Sequence, residues 1–440
     1  MMLGDVCFRV AETMRREEVA DRFARLIMRV SPKSYAQAMG EVVVTRKFFE
    51  NFGGDNVRFL ARAFTTVGDY QGQESTGYRW PLGPVALIYP FNFPLEIPGL
   101  QLMGALFMGN KPTVKACDRT GLVMCELIRL LHHCGLPKTD IDFIHCSGQV
   151  MHEFLLTAQP RVTQFTGSSK VAELLARDLH GKVKIEDAGF DWKILGPDVS
   201  EFDYVAWQAD QDAYASLGQK CSAQSILFAH ENWMEAGILE RLQALVERRS
   251  LDDLTMGPLL SVTNDQFTGH MNNLLKIPGA RLLWGGEEIE NHTIPERYGS
   301  MKPTAVFVPI EELVKEENFG TCVTEIFGQF QVVTSYTEDQ LPMVLDATER
   351  MSHHLTAAVV SNDMLFMNKV LANTQNGTQY SGIRARTTAA PQHMWFGPSG
   401  DPRGAGIGTR EAIHLTWSHH REIVTDMGPV PQGWTTPDAS

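Results

Sequence analysis

No two cysteines in this 440-residue sequence have the CxxC spacing of a zinc or redox motif; the seven stand apart at 7, 117, 125, 134, 146, 221 and 322. An odd, scattered set argues against a closed secreted disulfide framework and for a reducing compartment. Apolar runs such as Gly83 to Tyr89 stop far short of the ~20 residues that span a bilayer, so no transmembrane helix is expected. There is no block of Lys or Arg, and a formal net charge of −13 leaves nucleic acid without an electrostatic footprint. Histidine doublets at 132/133, 353/354 and 419/420 do not recur at a ligand spacing, and adjacent helical residues face different ways, so no metal is expected. Internal repeats and low-complexity tracts are absent. The first thirty residues carry six arginines but also Asp5, Glu12, Glu17, Glu18 and Asp21. A transit peptide is poor in acids, so the N-terminus reads as mature structure.

What is present points to a globular protein of two or three α/β units, with 43% hydrophobic residues and 37 glycines. Helical periodicity covers residues 5 to 30 and 34 to 51, which predicts two opening helices. The polar stretch Thr65 to Trp80 reads as a hairpin or a loop. An apolar strand from Val85 then leads into a helix over Gly99 to Asn110 and a strand at Thr113 to Ala116. A helix from Gly121 to Cys134, strands at Ile141 to Ile144 and Val162 to Thr166, a helix to about Leu179 and a strand at Val183 to Glu186 continue the alternation. A second α/β unit follows, with strands at Ser225 to Ala229, Arg281 to Trp284, Thr304 to Phe307 and Phe330 to Thr334, and a helix from Trp233 to Arg248. Such alternation predicts a doubly wound parallel sheet, which binds ligands at the carboxyl ends of its strands.

The turns at those ends carry the chemistry. Cys221, in Gly218-Gln219-Lys220-Cys221-Ser222-Ala223, has small neighbours and a cation beside it, the setting in which a thiol serves as a nucleophile. Taken alone, a cysteine before an apolar run is more often a core residue. Asn92 ends a strand between prolines in Pro90-Phe91-Asn92-Phe93-Pro94, where its amide can donate to an oxyanion; the plain alternative is an Asn turn. Glu186 ends another strand before small residues, and a buried carboxylate there has the raised pKa that suits a general base. Gly167-Ser168-Ser169 stands at a strand-to-helix turn, where free N–H groups suit a pyrophosphate. Gly404-Ala405-Gly406-Ile407-Gly408 has the glycines of a dinucleotide loop, but no strand leads into it.

In order and spacing, Pro90 to Pro94, Phe165 to Ser169, Ile185-Glu186-Asp187-Ala188-Gly189, Gly218 to Ala223 and Glu325-Ile326-Phe327-Gly328 together resemble the aldehyde dehydrogenase superfamily across nearly the whole chain. The wording Gln219-Lys220-Cys221-Ser222-Ala223 is most similar to its plant Δ1-pyrroline-5-carboxylate dehydrogenases. The resemblance implies a Rossmann-type NAD-binding domain (1–63 and 81–190, with part of its usual N-terminal region missing), an α/β catalytic domain (191–417) and small oligomerisation arms (64–80 and 418–440). It implies Cys221 as nucleophile, Asn92 as oxyanion donor and Glu186 as general base. NAD would be bound by Ile88, Tyr89, Pro90, Phe91, Lys115, Asp118, Gly148, Phe165, Gly167, Ser168, Val171, Glu325 and Phe327. An acid at Asp118 disfavours a 2′-phosphate and so favours NAD over NADP. An aldehyde that also carries a carboxylate, glutamate γ-semialdehyde, would meet Phe93, Ser222, Gly404, Ala405 and Gly406.

The same resemblance implies a homo-oligomer in the mitochondrial matrix. The sequence departs from the family wording at Asp187, Phe190 and Gln329. Alternatives are another semialdehyde dehydrogenase, a cysteine hydrolase or acyltransferase, which would have no use for Lys115, Ser168, Glu325 and Phe327, and a non-catalytic NAD-binding assembly subunit.

Overall fold

The computed structural model describes residues 2–61, 63–187, 189–388 and 396–439. The chain opens with three helices rather than the two expected: α1 (Met2–Met14), α2 (Glu17–Val30) and α3 (Tyr35–Asn51). The unforeseen break falls at Arg15-Arg16, where Arg16 is extended (φ −70°, ψ 128°) and precedes a first turn rich in acids. That turn complements the helix dipole. Ser34 begins α3 with a full capping box, its hydroxyl accepting from Gln37 N while the Gln37 side chain accepts from Ser34 N.

Thr65 to Trp80 is a hairpin, β1 (Phe64–Val67) and β2 (Gln73–Pro81), paired antiparallel. A five-stranded sheet follows, built from β3 (Pro84–Ile88), β4 (Lys111–Lys115), β5 (Asp142–Phe143), β6 (Val162–Thr166) and β7 (Val183–Glu186). Every neighbouring pair is parallel and the order is β5-β4-β3-β6-β7. The chain winds outward from β3 through α4 (Glu96–Phe107), β4 and α5 (Gly121–His133), then returns by α6 (Gly148–Ala158) to β6 and α7 (Ser169–Asp178). The direction of winding therefore reverses between β3 and β6, where the crevice for a ligand forms in such sheets. Helix α4 is apolar on almost every side because it lies between this sheet and the N-terminal helices.

A second sheet has seven strands, β8 (Asp191–Leu195), β9 (Gln224–His230), β10 (Arg281–Trp284), β11 (Thr304–Phe307), β12 (Phe330–Tyr336), β13 (Thr356–Val360) and β14 (Thr378–Ser381). Their order is β10-β11-β12-β9-β8-β13-β14, with only the edge pair β10–β11 antiparallel. β8 was not foreseen, since Asp191 and Lys193 interrupt its apolar run. Both are buried and have partners far along the chain: Asp191 Oδ1 accepts from Thr356 N at 2.7 Å, and Lys193 pairs with Asp212 at 2.7 Å. The single helix expected over Trp233 to Arg248 is two, Glu231–Glu235 and Ile238–Val246, separated by Gly237 at φ +86°. β15 (Ser418–Asp426) pairs antiparallel with β2 from Pro81 to Gln73, so the two segments expected to form arms share one three-stranded sheet. Among the described residues no helix is long and apolar enough to cross a membrane.

Candidate active site

A cavity of about 960 Å³ opens at the carboxyl ends of β3, β4 and β6 and extends to the second sheet. The end of β3 and the turn after it bring Ile88, Tyr89, Pro90, Phe91 and Asn92 to its wall. Lys115 enters from the end of β4 and Gly148 from the start of α6. Phe165, Gly167, Ser168 and Val171 line it from β6 and the start of α7. Glu186 ends β7, Cys221 precedes β9, and Glu325 and Phe327 arrive from the loop before β12. All fifteen are among the residues that the sequence singles out, and the fold gathers them from seven separate segments.

Close backbone approach joins three of these segments. A Cβ on Gly218 would lie 2.0 Å from the Gly328 carbonyl oxygen, and one on Gly189 would lie 2.3 Å from that of Cys221. The nucleophile loop is thus in backbone contact with the Glu186 turn on one side and the Glu325–Phe327 loop on the other. Ser216, Leu217 and Gly218 hold φ of 55°, 59° and 65°, a left-handed conformation that is costly for Leu and Ser. Phe327 also meets Phe91 edge to face, with centroids 6.0 Å apart.

The electrostatics suit proton transfer. Burial pushes Glu186 up to about 7, opposed by the nearby Cys221 thiol. Both of its carboxylate oxygens are buried without a hydrogen-bond partner among the described residues, which leaves them for water or for the thiol. Burial, reinforced by the Glu186 carboxylate, raises Cys221 well above the ordinary thiol range, so the resting form is the thiol. Glu325 is pushed up to about 8 by burial, against a hydrogen bond from Gly189 N. The oxygen of the Asn92 amide likewise has no partner among the described residues, although the side chain is buried.

Other expected residues stand apart from the cavity lining. Asp118 is more than half exposed and accepts from Lys115 Nζ at 2.8 Å; the same ammonium donates to Ala116 O at 3.0 Å. Phe93 packs against the N-terminal helices, with the Lys33 ammonium 3.6 Å from its ring centre. Ser222 is buried beside Cys221. Gly404 bridges to Ile185, and Ala405 N donates to Ile185 O at 3.0 Å, which brings residues 404 and 405 onto the edge strand that ends at Glu186. Gly406 follows, its carbonyl accepting from Thr416 Oγ1. Of the other cysteines, Cys7, Cys134 and Cys322 are buried, Cys125 is exposed and Cys117 lines the cavity.

His353 also lines the cavity, with Nε2 3.5 Å from Asp187 Oδ2. As one half of a doublet it carried no local signal. The Asp187 carboxylate raises its pKa, against burial.

The donor set fits a dinucleotide. Ser168 begins α7 without using its hydroxyl as a cap, which leaves that hydroxyl and the first N–H groups for a pyrophosphate. At the other end of the cavity, the partly buried Glu325 side chain is of a kind that can bond ribose hydroxyls.

The profile of the aldehyde dehydrogenase family matches residues 4–420. A Linum usitatissimum protein named "Probable aldehyde dehydrogenase" is 62% identical over 440 residues, covering 100% of this chain and 80% of that protein. The Arabidopsis thaliana protein named "Delta-1-pyrroline-5-carboxylate dehydrogenase 12A1, mitochondrial" is 61% identical over 441 residues, covering 100% of this chain and 79% of its own length. Among solved structures, PnpE in complex with nicotinamide adenine dinucleotide superposes with a TM-score of 0.84 at 22% identity, over 98% of this chain and 86% of that one. With the family profile spanning almost the whole chain and the cysteine, asparagine and glutamates gathered at one cavity, this chain belongs to the aldehyde dehydrogenase family.

Proposed function

We propose that this protein is an NAD-dependent dehydrogenase that oxidises glutamate γ-semialdehyde, the open form of Δ1-pyrroline-5-carboxylate, to glutamate. The observation that carries the reading is the meeting of Cys221, Asn92, Glu186, Glu325 and Phe327 on one cavity. The choice of aldehyde is supported by the name of the Arabidopsis relative. It is also supported by Ser222 next to the nucleophile and by residues 404–406 on the edge strand that ends at Glu186. These bring a hydroxyl and a small-residue segment to a second carboxylate, with the N–H groups of Gly404 and Ala405 already bonded to Asp401 and Ile185. Phe93, held by Lys33, is assigned to the support of this turn rather than to the substrate wall.

The cofactor is assigned to residues 1–63 and 81–190, with Lys115 at the ribose end, Ser168 at the pyrophosphate, and Glu325 and Phe327 at the nicotinamide riboside. The contact of Asp118 with Lys115 supports NAD over NADP, since a carboxylate near the ribose end would repel a 2′-phosphate. Catalytic chemistry is assigned to 191–417 and assembly to 64–80 with 418–440. The arm sheet leaves Phe64, Val67 and Val424 exposed at 76%, 90% and 60%, which supports burial against a second copy of the chain. The word "mitochondrial" in the relative's name supports a matrix location.

In this mechanism Cys221 loses its proton to Glu186, whose pKa of about 7 makes it the neighbouring acceptor. The sulfur bonds to the aldehyde carbon, and the carbonyl electron pair moves to oxygen. Asn92 and the Cys221 N–H stabilise that oxyanion. When bound, NAD supplies the acceptor for the hydride that leaves this carbon, and a thioester remains on Cys221. Glu186, having given its first proton up to solvent, then takes a proton from water, the water oxygen adds to the thioester carbon, and the C–S bond breaks to release the acid and the Cys221 thiolate, which Glu186 reprotonates.

NAD reduction should proceed with glutamate semialdehyde at a kcat/KM well above that for acetaldehyde or succinate semialdehyde. Equal values for all three would remove the substrate assignment, and ester turnover without any NAD reduction would point to a hydrolase.

A further inference from the structure

Glu41 on α3 and Lys33 in the turn before it are buried side chains, 0% and 2% exposed, joined by an ion pair of 2.7 Å between Lys33 Nζ and Glu41 Oε2. The other carboxylate oxygen faces a different element. Glu41 Oε1 accepts from Leu95 N at 2.8 Å and Glu96 N at 3.1 Å. These N–H groups stand at the start of α4, whose N-cap position, Leu95, has no side-chain acceptor of its own. The Lys33 ammonium lies 3.6 Å from the centre of the Phe93 ring. One ion pair therefore grips residues 93, 95 and 96, and the residue immediately before this grip is Asn92.

A buried ion pair is poor evidence for stability, because desolvating two charges offsets most of their attraction and a pair of apolar residues often serves as well. What such a pair supplies is direction. A carboxylate that must serve two N–H groups and one ammonium has little freedom to move, and neither has the backbone it holds. An amide that meets an oxyanion only in the transition state depends on placement of that kind, since a shift of ~1 Å can cost about 100-fold in rate.

We infer that Glu41, itself fixed by Lys33, is a positioning residue that holds the Asn92 amide at the oxyanion site through the backbone at the start of α4. The inference rests on the reading of Asn92 as oxyanion donor, and it makes a residue of the N-terminal helices part of the support for chemistry done at Cys221.

The test is a double-mutant cycle on the full-length enzyme. NAD reduction with glutamate semialdehyde and hydrolysis of p-nitrophenyl acetate without cofactor are measured for E41Q, N92A and E41Q/N92A. K33M/E41Q, which removes both buried charges together, is measured in both backgrounds in case E41Q alone does not fold. With Asn92 present, the Glu41 variants should lower kcat by roughly 10- to 100-fold in both assays, with KM little changed. In the N92A background the further loss should stay under about twofold, since the residue acts only through Asn92. Equal losses in both backgrounds, or a lower melting temperature with kcat unchanged, would overturn the inference. If N92A itself loses nothing, the oxyanion reading and the inference fall together.

Discussion

The loop that carries Cys221 and the turn that carries Asn92 reach the same cavity but are held by different means. The first is held backbone to backbone: Gly218 against the Gly328 carbonyl, Gly189 against the Cys221 carbonyl, and three consecutive residues at left-handed φ. The second is held by side chains from another layer, the Glu41 carboxylate on two N–H groups and the Lys33 ammonium over Phe93. Backbone contact admits no added atom, so the nucleophile loop is either in place or broken. A side-chain grip can be loosened by degrees, which suits a donor whose aim sets a rate.

The severest way to probe the contrast is at the nucleophile. Cys221→Ala should abolish aldehyde-dependent NAD reduction, by more than roughly 10⁴-fold, while fluorescence still reports cofactor binding. Retained turnover would move the nucleophile elsewhere. Gly218→Ala should cost about 3 kcal/mol or more in urea unfolding, because it adds both a clash with backbone and an unfavourable φ. A tolerated substitution there would mean that the loop can shift, and the contrast between the two would be lost. On the other side, Asn92→Ala should lower kcat by about 10²- to 10³-fold and leave the melting temperature close to that of the parent.

Glu186 sharpens the comparison through pH. It must be ionised to act as base, so wild-type kcat should rise with pH and level off above about 7, and Glu186→Gln should remove that limb with most of the activity. Because the folded pKa lies above the unfolded value of 4.5, the native state holds this proton more tightly. Stability therefore falls as pH rises from about 4.5 to about 7 and is level beyond. Glu186→Gln should accordingly be more stable than the parent at pH 8, by up to about 3 kcal/mol, and no more stable at pH 4. The smallest effect is expected at Ser222→Ala, a several-fold rise in KM for aldehydes that carry a carboxylate and none for acetaldehyde.

Much of the site was legible because its residues sit in turns between regular elements. Asn92 between two prolines, Glu186 at a strand end and Cys221 among small residues each had a local signature, and their common order carried the resemblance to the family. His353 had none, since nothing local distinguishes it from five other paired histidines. Its place in the cavity beside Asp187 came from the packing of β13 against β8. Strand β8 was missed for a related reason: Asp191 and Lys193 look like surface residues until Thr356 and Asp212 are seen to pair with them. Lys33 and Glu41 looked equally ordinary, two charges near a helix start, and their burial against α4 gives them their meaning.

By itself the sequence determined most of the alternation of strands and helices, the turns that hold reactive groups and the absence of a long apolar span, because these depend on residues within a few positions of one another. The tertiary structure decided the rest: the pairing of β2 with β15 across more than 300 residues, the close contacts of Gly218 and Gly189, and the grip of Glu41 on α4. Each of these joins segments far apart in the chain, and burial or hydrogen bonding between such segments leaves no periodic trace in either one.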